Sequence, residues 1–142
     1  MSSSILRIHH IGIVVEDIEE KSAIFIEKFG YIPESKIMHE VAQKVYVQFL
    51  AFGGYRIELI TPAEEISPVQ RFLERGGGLH HICYESEDIK GSIAYLRKQY
   101  GAICISLKTS VSIRDCVVAF LARPDGEVIE LVQLSNGNKY FD

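Results

Sequence analysis

Two kinds of apolar spacing alternate along this chain. From Arg7 to Val15 the residues are largely β-branched, which predicts a strand with His10, Gly12 and Val14 on one face and His9, Ile11 and Ile13 on the other. The spacing then changes. Ile18, Phe25 and Phe29 recur near the helical period, Asp17 and Glu20 have the form of a capping box, and Gly30 sits where a left-handed cap would stop a helix. Short alternating segments follow at about 37–41, 45–52 and 56–61, with Phe52-Gly53-Gly54 as a hairpin turn. These elements predict a β-α-β-β-β module.

The module occurs twice. At a constant offset of 71, His9-His10-Ile11 falls on His80-His81-Ile82, Glu16-Asp17-Ile18 on Glu87-Asp88-Ile89, Ala23 on Ala94 and Gly30 on Gly101. Val47 to Ala51 falls on Val118 to Ala122, and after one extra residue Ile57-Glu58-Leu59 falls on Ile129-Glu130-Leu131. The second copy therefore predicts a helix from Asp88 to Tyr100 and strands at about 103–108, 116–122 and 128–134, with Arg123-Pro124-Asp125-Gly126 as a turn. Ser67-Pro68, Phe72, Leu73 and Gly76 predict a short linker helix, about 67–76. The expected organisation is a single domain over 1–142, made of modules at about 6–62 and 78–135. A four-stranded sheet with one helix covers one face only, so two such α+β modules are expected to curl together around a cleft.

Composition narrows the function. With 142 residues, 47% of them hydrophobic, the chain can bury an ordinary core. Fifteen basic against nineteen acidic residues give a net charge of −4, and no basic cluster stands out, so no nucleic-acid partner is expected. No apolar stretch is long enough to cross a membrane, and Met1-Ser2-Ser3-Ser4 lacks the start of a signal peptide, so a cytoplasmic protein is expected. Cys83, Cys104 and Cys116 form no C-x-x-C pair and are expected to be reduced.

Candidate chemistry lies where the repeat places polar groups in apolar strands. Glu58 and Glu130 interrupt Ile57 to Ile60 and Ile129 to Val132. A carboxylate buried there must find a partner or a metal. The histidine pairs open both modules, and two imidazoles with two carboxylates suit a borderline divalent ion. Spacing alone does not choose between His9 and His10, or between His80 and His81.

The segments His9 to Ile13, Tyr55 to Leu59, Gly78 to Cys83, and Arg123 to Gly126 through Ile129 to Leu131 resemble the vicinal oxygen chelate superfamily, over about residues 6–134. The resemblance is to the branch of glyoxalase I and methylmalonyl-CoA epimerase. It implies two βαβββ modules whose mixed sheets form an incomplete barrel around a metal cleft. It also implies His10, Glu58, His81 and Glu130 as ligands of one divalent ion, Ni or Co in preference to Zn or Mn.

Both activities move a proton beside a carbonyl. The resemblance implies Glu130 as the first candidate for the base and Glu58, on the opposite side of the metal, as the second catalytic carboxylate. Epimerases place a catalytic glutamate in the strand before the second ligand, and alignment through Val47-Gln48-Phe49 puts Gln48 there. Epimerases usually carry glutamine at the second ligand position and bacterial glyoxalase I carries glutamate, as Glu58 here, so the resemblance implies a glyoxalase I-type lyase acting on a hemithioacetal. The alternative is a methylmalonyl-CoA epimerase-like isomerase acting on a thioester. A metal-free binding module and an extradiol dioxygenase rank lower. Gln48, Tyr46, Arg56 and Arg114 are candidates for substrate contact, as is Lys44, with Phe49 as a pocket wall. Exposed sheet edges predict a homodimer.

Overall fold

The computed structural model describes residues 4–110, 112–113 and 116–134. In chain order the elements are β1 (Ile5–Val14), α1 (Ile18–Ile24), β2 (Ile32–Pro33), β3 (Met38–Glu40), β4 (Val45–Phe52), β5 (Tyr55–Pro62), α2 (Gln70–Glu74), β6 (Gly78–Ser86), α3 (Ile89–Tyr100), β7 (Ile103–Thr109), β8 (Val117–Ala122) and β9 (Val128–Gln133). They fall into two compact units. One is residues 10–80; the other combines residues 1–9 with 81–142. The division thus separates His9 from His10 and His80 from His81.

In the unit of residues 10–80, the strand order is β2-β4-β5-β1, with β3 also paired to β4. The β1–β5 pair is parallel and sets Gly12 opposite Glu58, while β4 and β5 form the expected hairpin through Gly53-Gly54. Helix α1 starts at Asp17, whose carboxylate accepts the Glu20 N–H at 3.1 Å, and continues as a π-helical turn over Phe25–Phe29 to Gly30, at φ +83°. It covers one face of the sheet through Ile18, Phe25 and Ile26, packed against Leu50, Ile57 and Leu59. The other face carries Val14, Val45, Val47 and Ile60, packed on Val69, Phe72 and Leu73.

The unit with residues 81–142 repeats this plan. Its order is β6-β9-β8-β7, with β6 and β9 parallel and Cys83 opposite Glu130. Asp88 caps α3 by accepting the Gly91 N–H, and Gly101 ends it at φ +72°. The helix packs Ile89, Ile93 and Leu96 on Ala119, Leu121, Ile129 and Leu131. Its sheet is open, with β7 outermost.

Three elements differ from the sequence expectation. The strand expected at about 37–41 forms as β3, and an unexpected two-residue strand, β2, precedes it on β4, where the loop between them is stitched: Ser35 Oγ accepts the Phe49 N–H, and the Glu34 and Ser35 N–H groups both reach Phe49 O. The linker helix narrows to α2, and the first helix ends in a π turn. Among the described residues, no helix is long and apolar enough to cross a membrane.

Gly77 fixes the path from α2 into β6. It has φ +67°, and a Cβ there would stand 2.6 Å from the Val14 carbonyl oxygen. Gly77→Ala is expected to cost about 2–3 kcal/mol in urea unfolding. Gly53→Ala, at φ +60° with nothing within 4 Å of the added methyl, is expected to cost about 1 kcal/mol.

Candidate functional site

Each unit holds one buried histidine facing one buried glutamate. In the unit of residues 10–80, His10 lies two residues before Gly12 on β1, and Gly12 is in register with Glu58 on β5. Alternation therefore puts His10 and Glu58 on one face. His10 Nε2 stands 3.3 Å from Glu58 Oε1, and both residues are buried. In the other unit, His81 Nε2 stands 2.9 Å from Glu130 Oε1, again with both buried.

The support behind each pair is also duplicated. Phe49 is in register with Glu58 and meets the His10 ring edge-on, with centroids 5.2 Å apart. Phe120 is in register with Glu130 and meets His81 the same way at 5.6 Å. Phe49 is thus the packing support of an imidazole.

The donor spacing fits metal coordination. Two atoms each about 2.1 Å from one ion stand about 3.0 Å apart at a right angle and about 3.4 Å apart at the tetrahedral angle. The observed 3.3 Å and 2.9 Å separations match adjacent ligands. All four residues are of metal-ligating type and are excluded from solvent, so each unit has a group able to hold part of a divalent ion's shell. Of each histidine pair, the second member faces the glutamate. His80 instead packs edge-on against Phe72 at 5.0 Å, and His9 is buried in the unit of residues 81–142.

The other candidates stand differently. Gln48 is in register with Leu59, whose side chain lies under α1, so Gln48 is on the face opposite His10 and Glu58. Its Nε2 donates to Ser35 O at 3.1 Å. Gln48 therefore does not occupy the position of a catalytic carboxylate. Tyr46 shares that outer face and packs on His39 at 4.7 Å. Arg56 shares the face of Glu58 but is tied to Glu34, Nε to Oε1 at 2.6 Å. Lys44 makes a 3.8 Å ion pair with Glu64. Arg114 lies outside the described residues.

Glu40 is the residue that the sequence reading missed. It ends β3 in register with Val45, and Met38 is in register with Val47, so Glu40 is on the face of Val45, Val47, Phe49 and Glu58. It is 3% exposed. The signal was present only in part: Glu40 shares a face with Met38 in the strand expected at about 37–41. A 3-10 turn over Val41–Gln43 separates it from β4, and alignment through β4 alone passed over it.

Residues 9–120 match the model of the glyoxalase/bleomycin resistance protein/dioxygenase superfamily. The chain is 33% identical over 135 residues to the ethylmalonyl-CoA/methylmalonyl-CoA epimerase of Cereibacter sphaeroides, covering 90% of this chain and 98% of that protein. It is 30% identical over 132 residues to the human mitochondrial methylmalonyl-CoA epimerase, covering 89% and 73% respectively. The crystal structure of methylmalonyl-CoA epimerase from Mycobacterium tuberculosis shares the fold, with a TM-score of 0.82 and 24% identity over 95% of this chain and 92% of that one.

These likenesses overturn the lyase expectation, since the curated relatives are epimerases, which are isomerases. Both arguments for a lyase fail physically. A glutamate in place of a glutamine at position 58 still offers the metal an oxygen ligand, and Gln48 is on the wrong face to stand for a missing base. The chain belongs to the glyoxalase/bleomycin resistance protein/dioxygenase superfamily, alongside acyl-CoA epimerases.

Proposed function

We propose that this chain is an acyl-coenzyme A epimerase acting on a thioester of the methylmalonyl or ethylmalonyl type. His10, Glu58, His81 and Glu130, the four residues that the family resemblance implies as ligands, would hold one divalent ion. The observation that carries the reading is the buried carboxylate of Glu40 on the face of His10 and Glu58. Epimerisation requires a second group able to take or give a proton, and Glu40 supplies one where Gln48 could not. Similarity along nearly the whole length of a bacterial epimerase supports the substrate class.

The carbon between a thioester carbonyl and a carboxylate bears an acidic proton. One carboxylate removes it, and the C–H electron pair moves into the carbonyl to form an enolate. A carboxylic acid on the other side returns a proton to the opposite face, inverting the centre. We assign these roles to Glu130 and Glu40. Glu58, expected from the sequence as a second base, is assigned to the metal alone because it is held against His10. When bound, the ion supplies Lewis-acid stabilisation of negative charge on a substrate oxygen, worth several kcal/mol. Phe49 and Phe120 hold the imidazoles in orientation and keep water from them. The apolar residues Ile103, Ile105 and Leu107, exposed on outermost β7, support assembly as a homodimer, and light scattering that reads a one-chain mass would overturn that assignment.

The test follows each epimer of methylmalonyl-CoA separately in D2O, on protein stripped of metal and reloaded with Co, Ni, Zn or Mn. Metal-dependent inversion with uptake of deuterium at the α-carbon is expected. Glu40→Gln and Glu130→Gln should each lower inversion by about 100- to 10,000-fold. Of the two, Glu40→Gln should retain metal and still exchange the α-proton of one epimer. Inversion at the wild-type rate by Glu40→Gln would sink the two-carboxylate assignment. Gln48→Ala serves as a control, with activity unchanged and about 1 kcal/mol of stability lost with its bond to Ser35. His10→Ala and His81→Ala should each lose stoichiometric metal in elemental analysis.

A further inference from the structure

We propose that His9 and Cys83 form a second metal site, a buried two-ligand site for a soft monovalent cation of the Cu(I) type. Both belong to the unit of residues 81–142 with 1–9, and neither has a part in the epimerase reading. His9 is 2% exposed and Cys83 is fully buried. An imidazole nitrogen of His9 and Sγ of Cys83 lie within 4.8 Å of each other. A separation under that limit is one that an ion can bridge: with metal bonds of about 2.0 Å to nitrogen and about 2.3 Å to sulfur, the two donor atoms of an S–metal–N unit stand at most about 4.3 Å apart.

The charge balance selects the ion. Binding transfers the thiol proton to water and forms a metal–sulfur bond, so a monovalent cation, a thiolate and a neutral imidazole make an uncharged unit. An uncharged unit is tolerated in a buried place, whereas a divalent ion on the same two ligands would leave a net positive charge there, at high cost. Thiolate softness favours Cu(I) over the hard divalent ions. Among the described residues, Cys83 is the one cysteine in a group of metal-ligating side chains; Cys104 and Cys116 are in none.

The site has a consequence for the chemistry beside it. Cys83 is in register with Glu130 across β6 and β9, so an ion on Sγ stands next to the carboxylate assigned to proton transfer. His9 is also joined by one peptide bond to His10. Stoichiometric inhibition by Cu(I) is therefore expected.

The test is an anaerobic titration of the full chain, with its divalent ion in place, against Cu(I) held by a chromophoric chelator. The wild type, Cys104→Ser and Cys116→Ser should each withdraw one equivalent. Cys83→Ser and His9→Gln should bind it more weakly by about tenfold or more. The proposal is overturned if the wild type withdraws none, if the bound equivalent follows Cys104 or Cys116, or if Cys83→Ser binds as well as the wild type. Should the buried substitutions unfold the chain, X-ray absorption of the copper-loaded wild type decides. A shell of one sulfur and one nitrogen supports the site; two sulfurs, or oxygen ligands, overturn it.

Discussion

A carboxylate placed inside a β-sheet governs the rest of each unit. Glu58 and Glu130 sit among apolar neighbours and are almost wholly removed from water. An ionised group in that position is tolerated only with a partner at close range. The partner is a histidine on the neighbouring parallel strand, and parallel pairing of β1 with β5 and of β6 with β9 brings it there. Parallel neighbours need a long crossover, and in each unit the helix and the antiparallel hairpin lie within it. The hairpin then supplies Phe49 or Phe120 behind the imidazole. Helix, hairpin and register are thus consequences of delivering one nitrogen to one oxygen.

The duplication is faithful for ligands and unfaithful elsewhere. His10 and His81, Phe49 and Phe120, and Glu58 and Glu130 correspond through the repeat. Glu40 does not: the offset of 71 places Val111 opposite it. The symmetric part of the sequence is the part that the proposed metal site would use. Inversion of a stereocentre distinguishes its two faces, and in the proposed epimerisation Glu40, a carboxylate present in one copy only, would supply that asymmetry.

Much of this was legible because the repeat doubled every weak signal. One strand-start histidine or one acidic residue in a strand says little, but their recurrence at matching places singled out the two histidine pairs with Glu58 and Glu130, and the family resemblance then chose His10 and His81. The capped helices were legible for a local reason, since Asp17, Gly30, Asp88 and Gly101 act within one turn of themselves. What could not be read was set by register between distant segments. The edge formed by β2 and β3 depends on Ser35 and Glu34 binding the backbone of Phe49, a contact 14 or 15 residues away. Glu40 was lost with it, for its face is defined by pairing with Val45 across a 3-10 turn that breaks the count of two.

That loss explains why the ligand set pointed to the wrong reaction. Two histidines and two glutamates describe a Lewis-acid centre, and such a centre assists any proton transfer beside a carbonyl. It holds no information on how many bases the reaction needs. In the proposed epimerisation the discriminating residue is Glu40, a carboxylate that need not touch a metal, so no ligand spacing reveals it. Alignment along β4 reaches an amide on the far face, Gln48, whereas Glu40 stands on β3 beyond a 3-10 turn. Reading Gln48 in that place removed a base from the reaction on paper, whereas the fold keeps a buried glutamate, Glu40, on the face of His10 and Glu58.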